Sequence, residues 1–228
     1  MTEIAKTLAQ VTARIEKAAQ QAARAPQEIT LLAVSKTKPA QRVREAYAAG
    51  QRRFGENYLQ DALPKIAELA DLGDIEWHYI GRIQSNKTRD IAGHFAWVHG
   101  IDKLKHAQRL SEQRPANLPP LQCCIQVNLS GEASKGGVSP QDLPALAQQI
   151  AALPHLQLRG LMTMPDPNSS PETQSQVFQQ LARLQEQLNA DGLSLDTLSM
   201  GMSGDLELAI AAGSTMVRIG TDIFGARN

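Results

Sequence analysis

Short apolar runs alternate along the chain with segments whose apolar residues recur at helical spacing. That alternation is typical of a parallel sheet whose strands are joined by crossover helices. Eight runs predict strands, at Ile29–Val34, Arg53–Gly55, Trp77–Ile80, Trp97–Gly100, Leu121–Asn128, Leu158–Met162, Thr197–Met200 and Met216–Ile219. Eight strands favour an α/β fold, the (β/α)8 TIM-type barrel. The second and fourth runs are short, which leaves an open sheet as the alternative.

Helical signals fill the intervals between these runs. Ser139 and Ser170 each stand as an N-cap directly before a proline at the first helical position. The helix after Ser170 is expected to face the sheet with Val177, Leu181, Leu184 and Leu188. An extra N-terminal helix precedes every strand, with apolar residues at Ile4, Leu8, Val11 and Ile15. We expect this helix over the wall or the bottom of the barrel.

Composition and charge narrow the class of protein. The 228 residues fit a single barrel domain, residues 1–228, and 23 basic side chains balance 23 acidic ones. The zero net charge removes the electrostatic attraction that nucleic-acid binders and peripheral membrane proteins show. Neither a signal peptide nor an apolar run long enough to span a bilayer is visible, so a cytoplasmic location is expected.

The two cysteines, Cys123 and Cys124, are adjacent in a predicted strand. Consecutive strand residues point to opposite faces, so a disulfide between them would be strained. We expect two small buried apolar side chains, with a redox role as the alternative. No histidine pair completes a zinc pattern with them, and no metal site is predicted.

Candidate chemistry lies in the loops after the strands, where barrels of this kind carry functional residues. Lys36 directly follows the first strand, and an amine there can attack a carbonyl. In a barrel the first strand adjoins the last, so Lys36 can face a phosphate held after strands seven and eight. An amine beside a phosphate site is what pyridoxal phosphate requires. The alternative is an ordinary surface lysine.

The phosphate site is expected in two loops that contain glycine. Ser203 in "GMSGD" and Thr221 in "RIGTD" offer hydroxyl donors, and Gly220 lets the backbone approach a ligand closely. Ordinary glycine turns with an N-cap serine are the alternative interpretation.

Arg218 lies inside the last predicted strand, in "TMVRIG". Arginine is rarely buried without a partner, and the nitrogen of a pyridine ring is a suitable acceptor for it. Because arginine keeps its proton, it would leave that nitrogen unprotonated and make the ring a weaker electron sink. The alternative is an ion pair with Asp222 or Glu207. Further candidates, for a pocket wall beside strands two and three, are Asn57, Tyr58, His78, Gln84, Asn86 and Lys87.

Five segments resemble the pyridoxal phosphate homeostasis protein family: "LLAVSKTKP", "FGENY", "EWHYIGRIQSNK", "LRGLMTMP" and "SMGMSGDLELAIAAGSTMVRIGTDIFGAR". The resemblance spans nearly the whole chain. It implies a barrel similar to the N-terminal domain of alanine racemase, with pyridoxal 5'-phosphate held as an internal aldimine on Lys36. It further implies cofactor contacts from Ser203, Gly220 and Thr221 to the phosphate, from Arg218 to the pyridine nitrogen, and from the pocket-wall residues Asn57, His78 and Met162. Lys135 resembles the position where the racemases keep an arginine near the phenolic oxygen.

The same resemblance argues against a racemase. Racemases of this fold carry a second, β-rich domain and use a tyrosine from the partner subunit, and this chain has no room for that domain after its last strand. The family is understood as a carrier and regulator of pyridoxal phosphate and amino-acid balance, without an established reaction. We expect a monomer or weak dimer, whose partners are the cofactor and apo-enzymes that depend on it. Two alternatives stay open: a weak racemase or lyase, and a barrel that forms a Schiff base with a sugar phosphate.

Overall fold

Residues 2–130 and 136–226 are described by the computed structural model, and they form a closed barrel of parallel strands. The strands are β1 (Thr30–Val34), β2 (Arg53–Glu56), β3 (Glu76–Tyr79), β4 (Trp97–Ile101), β5 (Leu121–Gln126), β6 (Leu156–Met162), β7 (Thr197–Ser199) and β8 (Met216–Ile219). They pair in chain order, and β8 pairs with β1 from Thr30–Met216 to Ala33–Ile219. The barrel prediction is confirmed, and the open-sheet alternative is wrong.

The predicted strands all occur, and their ends differ by a few residues. The prediction for β5 ran to Asn128, whereas the strand ends at Gln126 and Val127 forms only an isolated bridge with Val138. The strand β6 begins at Leu156, before the predicted Leu158. These shifts lie at strand ends, where local apolar pattern carries little information.

Helices cover the outer face of the barrel in the part of the chain that is described. They are α1 (Glu3–Gln21), a 3-10 helix (Pro26–Glu28), α2 (Ala40–Ala48), α3 (Leu59–Glu68), α4 (Thr88–His94), α5 (Leu104–Gln113), α6 (Leu143–Ala151), α7 (Pro171–Ala190), α8 (Leu206–Ala211) and α9 (Thr221–Phe224). None of the helices within these ranges is both long and apolar enough to cross a membrane.

Two N-cap predictions had different outcomes. Ser170 caps α7 as predicted, since its hydroxyl accepts a hydrogen bond from the Thr173 backbone N–H at 3.2 Å. Ser139 does not cap α6, which begins only at Leu143. It shapes the preceding turn instead, where its hydroxyl accepts from the Asp142 N–H at 3.1 Å. A serine before a proline thus marks a turn as readily as a helix start.

Most of the core lies between the barrel and its helices. The predicted stripe of α1 is buried as expected and packs against α8 and α9 on the barrel wall. The predicted stripe of α7 was partly wrong: Val177 and Leu184 are only half-buried, whereas Phe178 and Gln185 are buried. The Gln185 amide nitrogen donates to the Leu195 carbonyl at 3.3 Å, while its buried Oε1 has no hydrogen-bond partner among the described residues.

A small apolar cluster packs separately from the main core. Cys124 packs there with Trp97 and Met162, while Cys123 points outward into the main core. Both thiols are free and buried, as predicted, and burial raises the pKa of Cys124 to about 12. A thiol that stays protonated in this way is a poor nucleophile, which argues against a redox role.

Candidate functional site

A cavity of about 290 Å³ opens at the carboxyl ends of the strands. We call it the rim cavity. Seven of the eight predicted site residues line it: Lys36, Asn57, Met162, Ser203, Arg218, Gly220 and Thr221. The exception is His78. The carboxyl end is where barrel enzymes place their functional groups, so the loops singled out from the sequence meet at a single cavity.

The backbone at Lys36 is held from behind by a buried polar cluster. The Ser35 hydroxyl donates to Glu56 Oε1 at 2.6 Å, and Lys65 Nζ donates to both the Ser35 carbonyl (2.8 Å) and Glu56 Oε1 (2.6 Å). Lys65 and Glu56 are 4% and 0% exposed, so this is a fully desolvated ion pair. Burial raises the pKa of the Glu56 carboxyl, while the Lys65 ammonium opposes that rise. The cluster fixes the end of β1 and hence the start of the Lys36 side chain.

The chain turns sharply directly after Lys36. Thr37 has a φ of 63°, in the left-handed region that β-branched residues avoid. The Lys38 N–H donates to the Ser35 carbonyl at 3.1 Å and closes the turn. Backbone strain of this kind persists where the surrounding structure enforces it, often at functional sites.

The segments after β7 and β8, which lie beside the end of β1, offer unsatisfied donors. Within the described ranges, no acceptor contacts the backbone N–H groups of Ser203, Gly204, Gly220 or Thr221, or the hydroxyls of Ser203 and Thr221. All four residues line the rim cavity. A Cβ on Gly220 would lie only 3.3 Å from the Val34 carbonyl oxygen, so the close approach of β8 to β1 favours glycine there. Such a set of N–H and O–H groups matches an anion with several oxygens.

Arg14, which the sequence reasoning missed, braces these loops from α1. Its guanidinium donates to the Ser203 carbonyl (3.1 Å), to Asp222 (2.5 Å) and to Glu207 (3.0 Å). It therefore ties the loop after β7 to the loop after β8. The apolar stripe of α1 predicted a helix that packs on the barrel. The role of Arg14 could not be predicted in the same way, because its partners lie about two hundred positions further along the chain.

Arg218 points into the barrel from β8 and is 5% exposed. Its guanidinium donates to the Ser199 carbonyl (2.5 Å), the Ser199 hydroxyl (2.8 Å) and the Thr163 carbonyl (3.0 Å). The predicted alternative of an ion pair with Asp222 or Glu207 is wrong, because both carboxylates pair with Arg14. Burial lowers the pKa of Arg218 to about 10, which leaves it cationic at neutral pH.

His78 is the predicted site residue that does not line the rim cavity, and its contact with the cofactor stays a prediction. It is fully buried and lies in the middle of the barrel interior, where its ring stacks on Trp97 with 5.3 Å between the centroids. It hydrogen-bonds to His99 and Glu76 and does not line the rim cavity. The His78 side chain points from β3 into the barrel, below the rim cavity. Gln84, Asn86 and Lys87 do not line the cavity either.

Asn57 does lie in the wall, and its buried Oδ1 has no hydrogen-bond partner in the part of the chain that is described. Such an orphaned atom inside a cavity wall is a polar group for a ligand to satisfy. Other lining residues that the sequence reasoning missed are Ile80, Met164 and Met202. Met164 and Met202 stand in the loops already singled out, but sequence cannot tell which loop side chains turn inward. Lys135 lies outside the described residues.

Residues 7–228 match the family described as the alanine racemase N-terminal domain. A pyridoxal phosphate homeostasis protein of Pseudomonas aeruginosa is 63% identical over 228 residues, which cover 100% of this chain and 97% of that protein. The chain belongs to the pyridoxal phosphate homeostasis protein family. Its namesake in Escherichia coli is 54% identical over 230 residues, covering 100% of this chain and 98% of that protein.

Solved structures support the same assignment for this pyridoxal phosphate homeostasis family member. PipY of Synechococcus elongatus with PLP bound superposes with a TM-score of 0.87 and 39% identity, over 98% of this chain and 100% of that one. The same protein without PLP gives a TM-score of 0.89 at 40% identity, with the same coverage. An alanine racemase of Corynebacterium glutamicum is similar in fold alone, with a TM-score of 0.70 and 20% identity over 98% of this chain and 62% of the racemase. The family and the barrel inferred from the sequence motifs are thereby confirmed.

Proposed function

We propose that this protein binds pyridoxal 5'-phosphate in the rim cavity through a Schiff base on Lys36 and serves intracellular homeostasis of that cofactor. One observation carries the proposal: Lys36, the donor-rich loops after β7 and β8, and the buried cation Arg218 line one cavity of about 290 Å³. These are the three partners that the aldehyde, phosphate and ring nitrogen of the cofactor need. The PLP-bound structure of PipY, a relative at 39% identity, supports the choice of ligand.

The residues of the rim cavity match the chemical groups of pyridoxal 5'-phosphate one by one. The phosphate would take the open N–H groups of Ser203, Gly204, Gly220 and Thr221. Arginine can only donate, so Arg218 suits the lone pair of the ring nitrogen. The orphaned Oδ1 of Asn57 marks one more polar contact for the ligand. When bound, the group supplies an electrophilic aldehyde and an electron-withdrawing ring.

The set of ionisable side chains in the wall of the rim cavity favours binding of the cofactor over catalysis. Racemisation needs an acid or base on each face of the substrate carbon. Among the described lining residues, Lys36, Lys38 and Arg218 carry ionisable side chains, and no carboxylate, histidine, tyrosine or cysteine joins them. Lys38 donates to the Ala226 carbonyl at 2.7 Å, on the outer edge of the cavity. Beside a bound cofactor, Arg218 would leave the ring nitrogen unprotonated, and the ring would then stabilise a carbanion less well.

Absorption spectroscopy of the purified protein tests the binding proposal, with Lys36→Ala as the test variant and Lys38→Ala as the matched control. We expect wild type and Lys38→Ala to show a near-ultraviolet or visible Schiff-base band that borohydride bleaches, and Lys36→Ala to lack it. Mass spectrometry should then find the reduced adduct on the peptide that contains Lys36. No band in the wild type after addition of cofactor would contradict the proposal and favour the sugar-phosphate alternative.

A second experiment separates a carrier from an enzyme. Holoprotein incubated with an amino acid in heavy water should exchange the α-hydrogen poorly, whereas a racemase or lyase would exchange it on every turnover. Transfer can be measured by mixing holoprotein with an apo-enzyme that requires pyridoxal phosphate and following the recovery of its activity. Recovery with wild type supports the carrier function, and rapid α-hydrogen exchange would favour the enzyme.

A further inference from the structure

A line of buried polar groups crosses the inside of the barrel. It begins at Arg218, whose Nη1 lies 2.8 Å from the Ser199 hydroxyl oxygen. That oxygen is 2.7 Å from His99 Nδ1, and His99 Nε2 is 2.9 Å from His78 Nδ1. The line ends where His78 Nε2 lies 2.9 Å from Glu76 Oε1. Its three inner members, Ser199, His99 and His78, are all 0% exposed. We call this line the interior chain.

The two ends of the interior chain set the direction of its hydrogen bonds. A carboxylate can only accept, so His78 must donate to Glu76 from Nε2. A neutral His78 then accepts at Nδ1 from the Nε2–H of His99, and a neutral His99 accepts at Nδ1 from the Ser199 hydroxyl. The Ser199 oxygen is left to accept from Arg218, which can only donate. Every bond therefore points from the rim toward Glu76.

Both imidazoles are neutral because of where they lie. Desolvation lowers the pKa of His78, and it lowers the pKa of His99 well below the usual value, with the nearby Arg218 cation acting in the same direction. Neutral rings with one proton each satisfy all four ring nitrogens within the interior chain. Buried polar groups that are satisfied in this way are locked in orientation.

The far end opens on the other side of the molecule. Glu76 also accepts from Arg53 Nε at 3.2 Å, and both residues line a cavity of about 920 Å³ at the amino ends of the strands. The hydrogen bond from His78, together with the hydrogen bond and charge of Arg53, lowers the pKa of the Glu76 carboxyl, while its partial burial opposes that shift. The interior chain is therefore anchored on a charged group at each end of the barrel.

We propose that His99 and His78 are positioning residues that act through Ser199 to hold the Arg218 guanidinium in the orientation that a ring nitrogen in the rim cavity requires. The inference rests on the proposed function. By accepting the Ser199 hydrogen, His99 turns the lone pairs of that oxygen toward Arg218. Without this acceptor the hydroxyl can rotate, its hydrogen opposes the cation, and Arg218 loses one of its three anchors.

Two nearly isosteric replacements test the link. His99→Asn keeps an acceptor near Ser199, whereas His99→Leu has a similar size and none. We expect His99→Leu and Ser199→Ala each to weaken pyridoxal phosphate binding roughly tenfold and to shift the absorption band of the bound cofactor, since each loosens one hydrogen bond to a charged group. His99→Asn should keep most of the wild-type affinity. The double variant Ser199→Ala/His99→Leu should bind pyridoxal phosphate no more weakly than Ser199→Ala alone, because both changes act through the same contact.

Cys124→Ala serves as the control for a change inside the barrel, because Cys124 lies beside Trp97 and Met162 but outside the interior chain. It should keep the wild-type affinity and band. Wild-type affinity and an unshifted band in both Ser199→Ala and His99→Leu would overturn the proposal. Equal losses of affinity in His99→Asn, His99→Leu and Cys124→Ala would also overturn the proposal, because they would show that these side chains affect binding only through packing.

Nuclear magnetic resonance of protein labelled with 15N-histidine and free of cofactor gives a second readout. His78 and His99 should both be neutral and protonated at Nε2 at pH 7.5, and Ser199→Ala should move the Nδ1 resonance of His99. A ring protonated at Nδ1, or a doubly protonated ring, would overturn the interior chain. If the wild type binds no pyridoxal phosphate while the tautomers are as expected, the proposed function fails and the hydrogen-bond direction stands.

Discussion

Lys65 is a buried ammonium whose contacts hold the end of β1. It reaches from α3 to Glu56 and to the Ser35 carbonyl, directly before Lys36. Removing one partner of a buried pair leaves the other charge without compensation, while replacing both with apolar or neutral groups is far less costly. The pair is therefore a sensitive point of the structure behind the site.

We predict that Lys65→Met lowers the free energy of unfolding by about 3–5 kcal/mol. The double variant Lys65→Met/Glu56→Gln should recover a large part of that loss, because no charge is then left buried. Urea denaturation measures the free energy of unfolding of the single and the double variant. The control is Arg44→Ala, which breaks an ion pair with Asp71 whose side chains are 40% and 58% exposed, and it should change the free energy of unfolding far less than Lys65→Met. Equal losses in Lys65→Met and Arg44→Ala would contradict the prediction.

At the scale of the element, α1 does more than cover apolar surface. Its buried stripe packs on α8 and α9, and Thr7 on the same helix donates to the Ile223 carbonyl at 2.9 Å. Arg14 adds the contacts to Ser203 and Asp222 described above. The helix that precedes the repeating βα pattern is thus a support for both candidate phosphate loops.

We predict that Arg14→Ala weakens binding of pyridoxal phosphate by roughly tenfold, which corresponds to about 1.4 kcal/mol, without unfolding the barrel. The reason is that the loops after β7 and β8 lose their common tie. Equilibrium titration of the apoprotein, followed by absorption, measures the change. Lys17→Ala, an exposed change on the same helix, is the matched control. The same affinity for Arg14→Ala and Lys17→Ala would show that α1 does not support the site.

At the scale of the whole molecule, buried neutral histidines make stability depend on pH. His78 and His99 have lowered pKa values in the folded state, mainly through desolvation. Below the unfolded value of about 6.5, the unfolded chain binds protons that the folded protein does not, so the free energy of unfolding falls as pH falls. Glu56 and Asp205, whose pKa values burial raises, act in the opposite sense.

The difference between wild type and His99→Asn isolates the histidine contribution from these carboxyls. Between pH 7.5 and 5.5, wild type should lose up to about 1.4 kcal/mol more stability than the variant, since one proton per molecule is worth about that much for each pH unit below 6.5. Urea denaturation at the two pH values measures this. Parallel losses in both proteins would mean that His99 is protonated in the folded state.

The outline of the barrel and most of the site could be predicted from local pattern. The strand positions, Lys36 at the end of β1, and the loops at Ser203 and Gly220 all depend on residues close in the chain. Because functional groups of a barrel gather at the carboxyl ends of its strands, these local features predicted that Lys36, Ser203, Gly220 and Thr221 lie together, and all four line the rim cavity. Met162, which also lines it, was inferred only from the family resemblance. The sequence does not show that His78 lies outside the lining of that cavity, because its depth along β3 depends on how the strands are staggered.

The sequence by itself determined the alternation of strands and helices, and with it the loops that carry the candidate chemistry, because apolar periodicity and turn residues act over short distances. Only the tertiary structure decided which side chains meet inside the barrel. Ser199 and His99 are separated by 100 positions, and Arg14 and Asp222 by 208. Strands buried on both faces show no alternation that would reveal their inner side, so closure and register of the sheet set these contacts.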